Sequence, residues 1–272
     1  MSLNSIENPS IKSISILGCG WFGFALAKKL ISLNYKVSGS TTTEDKLATL
    51  KSEGIQPFLI SFSTENITAD PIFFEADVLF ICIPPKRNSH EFSEYPNKIK
   101  AILTAAEGKS KDVILISSTS IYGDTNENVD ENTNPVPDTD SGKMVLEAEK
   151  LINMPHSFCA TIIRFAGLIG PNRNPGKFFA GKKEVPNGLA PVNLIHQSDA
   201  VGIATAIISK KAFGKTYNAC NPNHPLRKDF YTNAAKISAL PEPEFVEEKQ
   251  NWKIVESLNV PKFLRYAFEI SL

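Results

Sequence analysis

The stretch Ile14-Ser-Ile-Leu-Gly-Cys-Gly-Trp-Phe-Gly-Phe-Ala-Leu-Ala27 constrains the fold of this chain more than any other. An apolar run enters three glycines, and an apolar, helix-compatible segment leaves them. Gly18, Gly20 and Gly23 have the spacing G-x-G-x-x-G. In that spacing the first glycine permits a tight turn, and the second lets backbone approach a pyrophosphate. The third lets the following helix pack on the strand, with its N-terminal N–H groups and macrodipole facing the phosphates. The context agrees: a strand precedes, a helix over Phe22–Leu33 follows, and a second strand-like segment comes next. The plainer alternative is a glycine loop that serves close packing alone.

With 272 residues the chain can bury a sizeable core, as one large α/β domain or a nucleotide-binding domain with an appendage. Lys plus Arg and Asp plus Glu are 29 each, so net charge gives no reason to expect nucleic acid or an anionic membrane as partner. No apolar run nears the ~20 residues of a membrane span. The N-terminal apolar run is broken by glycines and lacks a basic leader, so it reads as strand and turn, and the expectation is a soluble cytoplasmic protein. Cys19, Cys82, Cys159 and Cys220 form no C-x-x-C, which points to neither zinc nor a disulfide framework.

Residues 1–11 read as a frayed leader. The pattern then predicts strands over Lys12–Leu17, Tyr35–Ser40, Pro57–Phe62, Asp77–Ile83, Asp112–Ser117 and Phe158–Arg164. Helical patterns fall between them over Glu44–Leu50, Glu91–Ala106 and Asp140–Asn153. The apolar run Asp77–Ile83 suits a parallel strand buried on both faces. Such alternation predicts an α/β fold, a doubly wound parallel sheet. After Arg164 the rhythm breaks. Phe165–Pro191 reads as loop-rich, Ser198–Lys210 and Arg227–Ala239 as helices, Tyr217–Ala219 as a short strand, and the Pro-containing tail as a small cap. Ser198 or Asp199 is the expected helix cap. The expected division is a dinucleotide-binding part, 12–165, and a mixed part, 166–272, that completes the sheet and forms a small substrate-side cap.

Ligands of an open parallel sheet bind beyond the carboxyl ends of its strands. Those ends bring together Gly18–Gly23, Ser40–Thr43, Pro84-Pro85, Ser117–Tyr122 and Phe165–Gly167. The expected cofactor contacts there are Gly18, Gly20, Trp21, Phe22, Gly23, Ser40, Thr41, Thr42, Ile83 and Pro84. The cofactor itself is read as NAD(P). A carboxylate for the ribose 2′-OH belongs about 20 residues past the glycines. Thr41 stands there among hydroxyls, which removes repulsion against a 2′-phosphate and favours NADP over NAD. Glu44 and Asp45 oppose that, Lys46 offsets them, and the threonines can equally be helix caps.

Five stretches in order resemble the NAD-dependent epimerase/dehydratase branch of the extended short-chain dehydrogenase/reductases. They are Gly18–Gly23, Ile116–Asp124, Ser141–Glu149, Ile163–Pro171 and Asn193–Asp199. The resemblance covers roughly residues 12–220. It implies a serine on the reacting oxygen, matched by Ser118, and a Tyr-x-x-x-Lys pair on the next helix. The lysine, which the resemblance implies would tune the phenol and hold the nicotinamide ribose as a cofactor contact, is matched by Lys143; four residues earlier stands Thr139, whose hydroxyl cannot replace a tuned phenol. The chain thus looks like an atypical member. Tyr122 is the substitute proton carrier to test, with Asp138 and Asp140 behind it. Its alternative is a packed aromatic, and that of Lys143 a surface lysine. His196 reads as structural, and Trp21 and Phe22 as pressing on the cofactor or the helix. Arg173, Lys177, Lys182 and Lys183 could receive an anionic group of a small-molecule substrate. The reading is an NAD(P)-dependent oxidoreductase or epimerase/dehydratase acting on a carbonyl/alcohol carbon of a nucleotide sugar or related small metabolite. Its rivals are a non-catalytic dinucleotide sensor and a two-domain dehydrogenase with a helical second domain.

Overall fold

The structure, a computed structural model, describes residues 11–62, 67–85 and 92–272. The expected leader over 1–10 and the helix start at Glu91 lie outside the described residues. Seven parallel strands form the central sheet: β1 (Ser13–Leu17), β2 (Lys36–Thr41), β3 (Gln56–Leu59), β4 (Val78–Ile81), β5 (Asp112–Ser118), β6 (Cys159–Phe165) and β7 (Thr216–Ala219). Their spatial order is 3-2-1-4-5-6-7, with the reversal between β1 and β4. All four residues of β4 are buried, as its unbroken apolar run requires.

The helices are α1 (Trp21–Ser32), α2 (Asp45–Ser52), α3 (Tyr95–Ala106), α4 (Asp140–Ile152), α5 (Gln197–Ser209) and α6 (Arg227–Ile237). From β1 to β2 the chain runs one way along the sheet, and from β4 to β5 the other. Right-handed crossovers therefore put α1 and α3 on opposite faces. α1 packs with α5 and α3 with α4, closing both faces as a doubly wound sheet. Leu26, Ala27 and Leu30 on α1 and Ile99, Ile102, Leu103 and Ala106 on α3 are the buried stripes that do so.

Two departures from the sequence pattern have simple causes. The expected strand Pro57–Phe62 is interrupted at Ile60, and Ser61–Phe62 pairs antiparallel with Ile67–Thr68 instead. The α5 cap is His196, whose Nδ1 accepts from the Ser198 N–H. Asp199, fully buried, turns away to accept from the Tyr266 hydroxyl and the N–H of Glu269, so it ties down the C-terminal tail. The segment before that tail runs back along the sheet end, with Lys253–Val255 pairing in parallel with Glu127–Val129. Glu131 clamps it by accepting from the N–H groups of Asn218 (2.9 Å) and Leu258 (2.8 Å).

Candidate functional site

The glycine turn is built as its spacing demands. Gly18 has φ +97°, in the left-handed region, and its N–H donates to Ser40 Oγ at 2.9 Å. A Cβ on Gly23 would sit 2.3 Å from the Gly18 carbonyl oxygen, so α1 is seated directly on the turn. Above Gly20 a Cβ would meet nothing within 4 Å, which leaves the space a ligand backbone would take. No side chain caps α1 and its first turn has no acid, so its N-terminal donors and dipole face that space. The residues present therefore fit a dinucleotide pyrophosphate. Cys19 is a packing thiol here: burial pushes its pKa up to about 12.

Two cavities meet over the sheet reversal, of about 800 and about 310 Å³, and share Gly20, Cys82, Ile83, Pro84 and Tyr95. The smaller is lined by Gly18, Ser40, Thr41, Thr42 and two lysines, Lys46 and Lys98. The larger is lined by Trp21, Phe22, Gly23 and Ser118. Every expected cofactor contact thus lines the cleft except Lys143. Thr41 Oγ1 accepts from the Thr43 N–H at 3.2 Å, while α2 begins after Glu44 without a side-chain cap. These threonines therefore do not cap α2.

The expected catalytic trio does not assemble. Ser118 ends β5 in the larger cavity and accepts from the Ser120 N–H at 3.1 Å. Tyr122 lies outside the cleft lining and is 1% exposed. Its hydroxyl donates to the Asp130 carbonyl (2.7 Å) and contacts Asn218 Oδ1, and it receives Arg164 Nη1 at 2.6 Å. Burial raises its pKa, against the pull of Arg164 and the Asn218 hydrogen bond. A phenol so held is part of the packing and has no path to a substrate proton.

Lys143 is likewise a correction. Its Nζ pairs with Asp140 at 3.0 Å on the solvent side of α4, and Thr139 is the N-cap of α4, accepting from the Gly142 N–H. The α4 residues that face the cleft four apart are Ser141 and Val145, two positions on from the expected pair. Packing sets this register. A Cβ on Gly142 would lie 2.3 Å from the Ser120 carbonyl oxygen, so α4 meets the Ser118 loop through Gly142. Further along α4, Glu149, 2% exposed, accepts from Arg164 Nη2 at 2.7 Å and from Ser117 Oγ at 2.5 Å. The pattern Gly142, Val145, Ala148, Glu149, Ile152 is the buried face, and it is legible in the sequence once Glu149 is admitted to it.

The far wall of the larger cavity comes from residues that sequence patterns missed: Asp124, Phe179, Asn193, Arg227, Tyr231, Asn251, Trp252 and Lys253. Lys253 Nζ donates to Asp124 Oδ1 at 2.7 Å and to the Tyr122 carbonyl at 2.8 Å. Only the parallel pairing of a C-terminal segment brings it there, and no local motif announces that. Of the basic cluster after β6, Arg173 lines the cleft. Lys177, Lys182 and Lys183 do not, and Lys183 pairs with Glu244.

The family model described as NADP oxidoreductase coenzyme F420-dependent matches residues 13–120. Protein YeeZ of Escherichia coli strain K12 is 35% identical over 265 residues, covering 95% of this chain and 96% of YeeZ. The chain belongs to the YeeZ family. Among solved structures, UDP-glucuronic acid 4-epimerase from Bacillus cereus in complex with NAD superposes with a TM-score of 0.79 at 18% identity, covering 95% of this chain and 94% of that one. A functionally unknown conserved protein from Silicibacter pomeroyi does so at 0.74 and 20%, with 95% and 94% covered. These two likenesses establish the fold, and this member of the YeeZ family carries it with the corrected α4 register.

Proposed function

We propose that the chain is an NADP-dependent oxidoreductase or epimerase that works on the carbonyl or alcohol carbon of a small polar metabolite bearing an anionic group. The observation that carries this reading is the continuity of one cleft. It runs from Thr41, Thr42 and Lys46, over the glycine turn, to Ser118 and on to Arg227 and Lys253. A bound nicotinamide dinucleotide would supply hydride transfer. Gly18, Gly20 and Gly23 would hold its pyrophosphate, and Lys46 and Lys98 with the threonine hydroxyls would hold a ribose 2′-phosphate. Ser118 would donate to the reacting oxygen, and Arg227 and Lys253 would anchor the substrate's anionic group. The description of the family model and the NAD held by the Bacillus cereus epimerase support the cofactor class. In this reading residues 12–165 supply the nucleotide half and 166–272 the substrate wall. The chain is then a short-chain dehydrogenase/reductase whose α4 presents neither the tyrosine nor the lysine to the cleft.

A second reading has its own observation. With Ser141 and Val145 on the cleft and Tyr122 buried, the usual acid/base is absent, which favours a protein that binds the dinucleotide and senses or transmits its presence. One pair of experiments separates them. Titration with NADPH and NADH, followed by nicotinamide fluorescence, should saturate, with NADPH the tighter. Screening carbonyl and nucleotide-sugar compounds should then give turnover that Ser118→Ala abolishes while dinucleotide affinity is kept. Tight binding with no turnover across the panel selects the sensor, and no binding of either nucleotide removes both readings.

A further inference from the structure

The glycine turn carries a tryptophan between its second and third glycines, and that tryptophan is clasped from the opposite side of the cleft. Trp21 Nε1 donates to the Pro171 carbonyl at 2.6 Å, and Gln197 Nε2 donates to the Trp21 carbonyl at 2.8 Å. The Arg173 guanidinium lies over the indole, 4.3 Å from the ring centroid. Gly170 and Arg173 exchange backbone hydrogen bonds (2.9 and 3.2 Å), so the loop that presents Arg173 is a closed turn. The guanidinium makes no hydrogen bond and no ion pair with any described residue, although it carries five N–H donors in one plane. The cation–π contact holds the guanidinium in place and leaves its donors for something else.

We infer that Arg173 is a ligand of the dinucleotide pyrophosphate, delivered by the substrate-side loop and held in place by Trp21. Trp21 is the first residue of α1, and a helical Cβ leans toward the helix N-terminus, so its ring flanks the donors that the glycine turn exposes. A guanidinium over that ring shares one cavity with Gly20. Planar, doubly donating recognition of phosphate oxygens is what an arginine offers and a lysine does not. Arg227 and Lys253 are placed elsewhere on the cleft wall: Arg227 reaches the Pro186 carbonyl and Lys253 is paired with Asp124. Arg173 is thus a binding residue contributed by the half of the molecule that the glycine fingerprint does not include.

The inference rests on the dinucleotide reading above, and its test keeps the two apart. NADPH and NADH would be titrated against the wild type, Arg173→Gln, Arg173→Lys and Trp21→Phe, with far-UV circular dichroism to confirm folding. The contrast probe is adenosine 2′-monophosphate, or adenosine if NADH is preferred; both lack the pyrophosphate. Loss of charge-assisted hydrogen bonds at a half-exposed site should weaken dinucleotide binding by about tenfold in Arg173→Gln, with the lysine variant between the two. The probe should bind all variants within about twofold, and the wild-type affinity should fall with added salt more steeply than that of Arg173→Gln. Unchanged dinucleotide affinity in Arg173→Gln overturns the inference and leaves the dinucleotide site standing. Equal weakening of dinucleotide and probe also overturns it, since the effect is then not on the pyrophosphate. Failure of the wild type to bind any dinucleotide removes both.

Discussion

The two sides of the cleft are built by opposite means. On the nucleotide side, most of the lining follows directly from the strands that present it: Gly18–Gly23 after β1, Ser40–Thr42 at the end of β2, Cys82–Pro84 after β4, with Lys46 added by α2 and Tyr95 and Lys98 by α3. On the substrate side, the wall is assembled from loops and a returning segment, joined by Glu131, Asp124–Lys253 and the Trp21 clasp. Backbone geometry makes the first side, and long-range side-chain contacts make the second. The first should therefore be sensitive to added atoms, and the second to lost hydrogen bonds.

The largest effect belongs to the buried ion pair beneath both sides. Arg164→Met should destabilise the protein by roughly 3–5 kcal/mol, because Glu149 is left buried without its partner. The urea midpoint measures this, and the double variant Arg164→Met/Glu149→Leu should recover most of it. Next, Gly23→Ala puts a methyl group against the Gly18 carbonyl, with an expected cost of about 1–3 kcal/mol and loss of dinucleotide binding. Binding retained at wild-type strength would break the claim that this side tolerates no added atom. Glu131→Ala should cost about 1 kcal/mol, free the 252–259 segment and change Trp252 emission, yet leave NADPH affinity within twofold.

The smallest effect is a pH effect at the amino ends of β1 and β4, the sheet end opposite the cleft. Burial pushes the Asp77 carboxyl up, but hydrogen bonds from Lys111 and the N–H groups of Lys12 and Ser13 outweigh it and hold its pKa at about 2. A carboxyl depressed on folding stabilises above its unfolded pKa, and that contribution is lost as pH falls towards 2. Between about pH 4 and pH 2 the wild type should lose more melting temperature than Asp77→Asn. Parallel slopes would show that the β1–β4 edge gains nothing from this carboxylate.

The same contrast explains what could be read from the sequence. Strand–turn–helix units are local, so β1, the glycine turn and the buried run of β4 were legible, and so was the gathering of the expected cofactor residues other than Lys143 along one cleft. The Lys143 expectation came from matching that lysine to the family pair, whereas the structure turns Lys143 to solvent and puts Ser141 and Val145, two positions on from Thr139 and Lys143, on the cleft. The face of α4 is set by Gly142 against Ser120 and by Glu149 against Arg164. Tyr122 was misread for a similar reason. Its loop position is local, but the partners that bury its hydroxyl, Arg164 and Asn218, are 42 and 96 residues away. Lys253 and Trp252 could not be found at all, since nothing near them in sequence marks a cleft.

The contacts that place Lys253 and Trp252 against the loop after β5 span 126 to 131 residues of chain. Loops of that length close late in folding. A refolding chain would therefore possess its nucleotide pocket before it could select a substrate. The two halves of its chemistry would mature in sequence: first competence to hold the dinucleotide, then discrimination. Trp252 lines the cleft on that returning segment, so a Trp21→Phe variant, which keeps Trp252 alone, would time its closure in a refolding experiment.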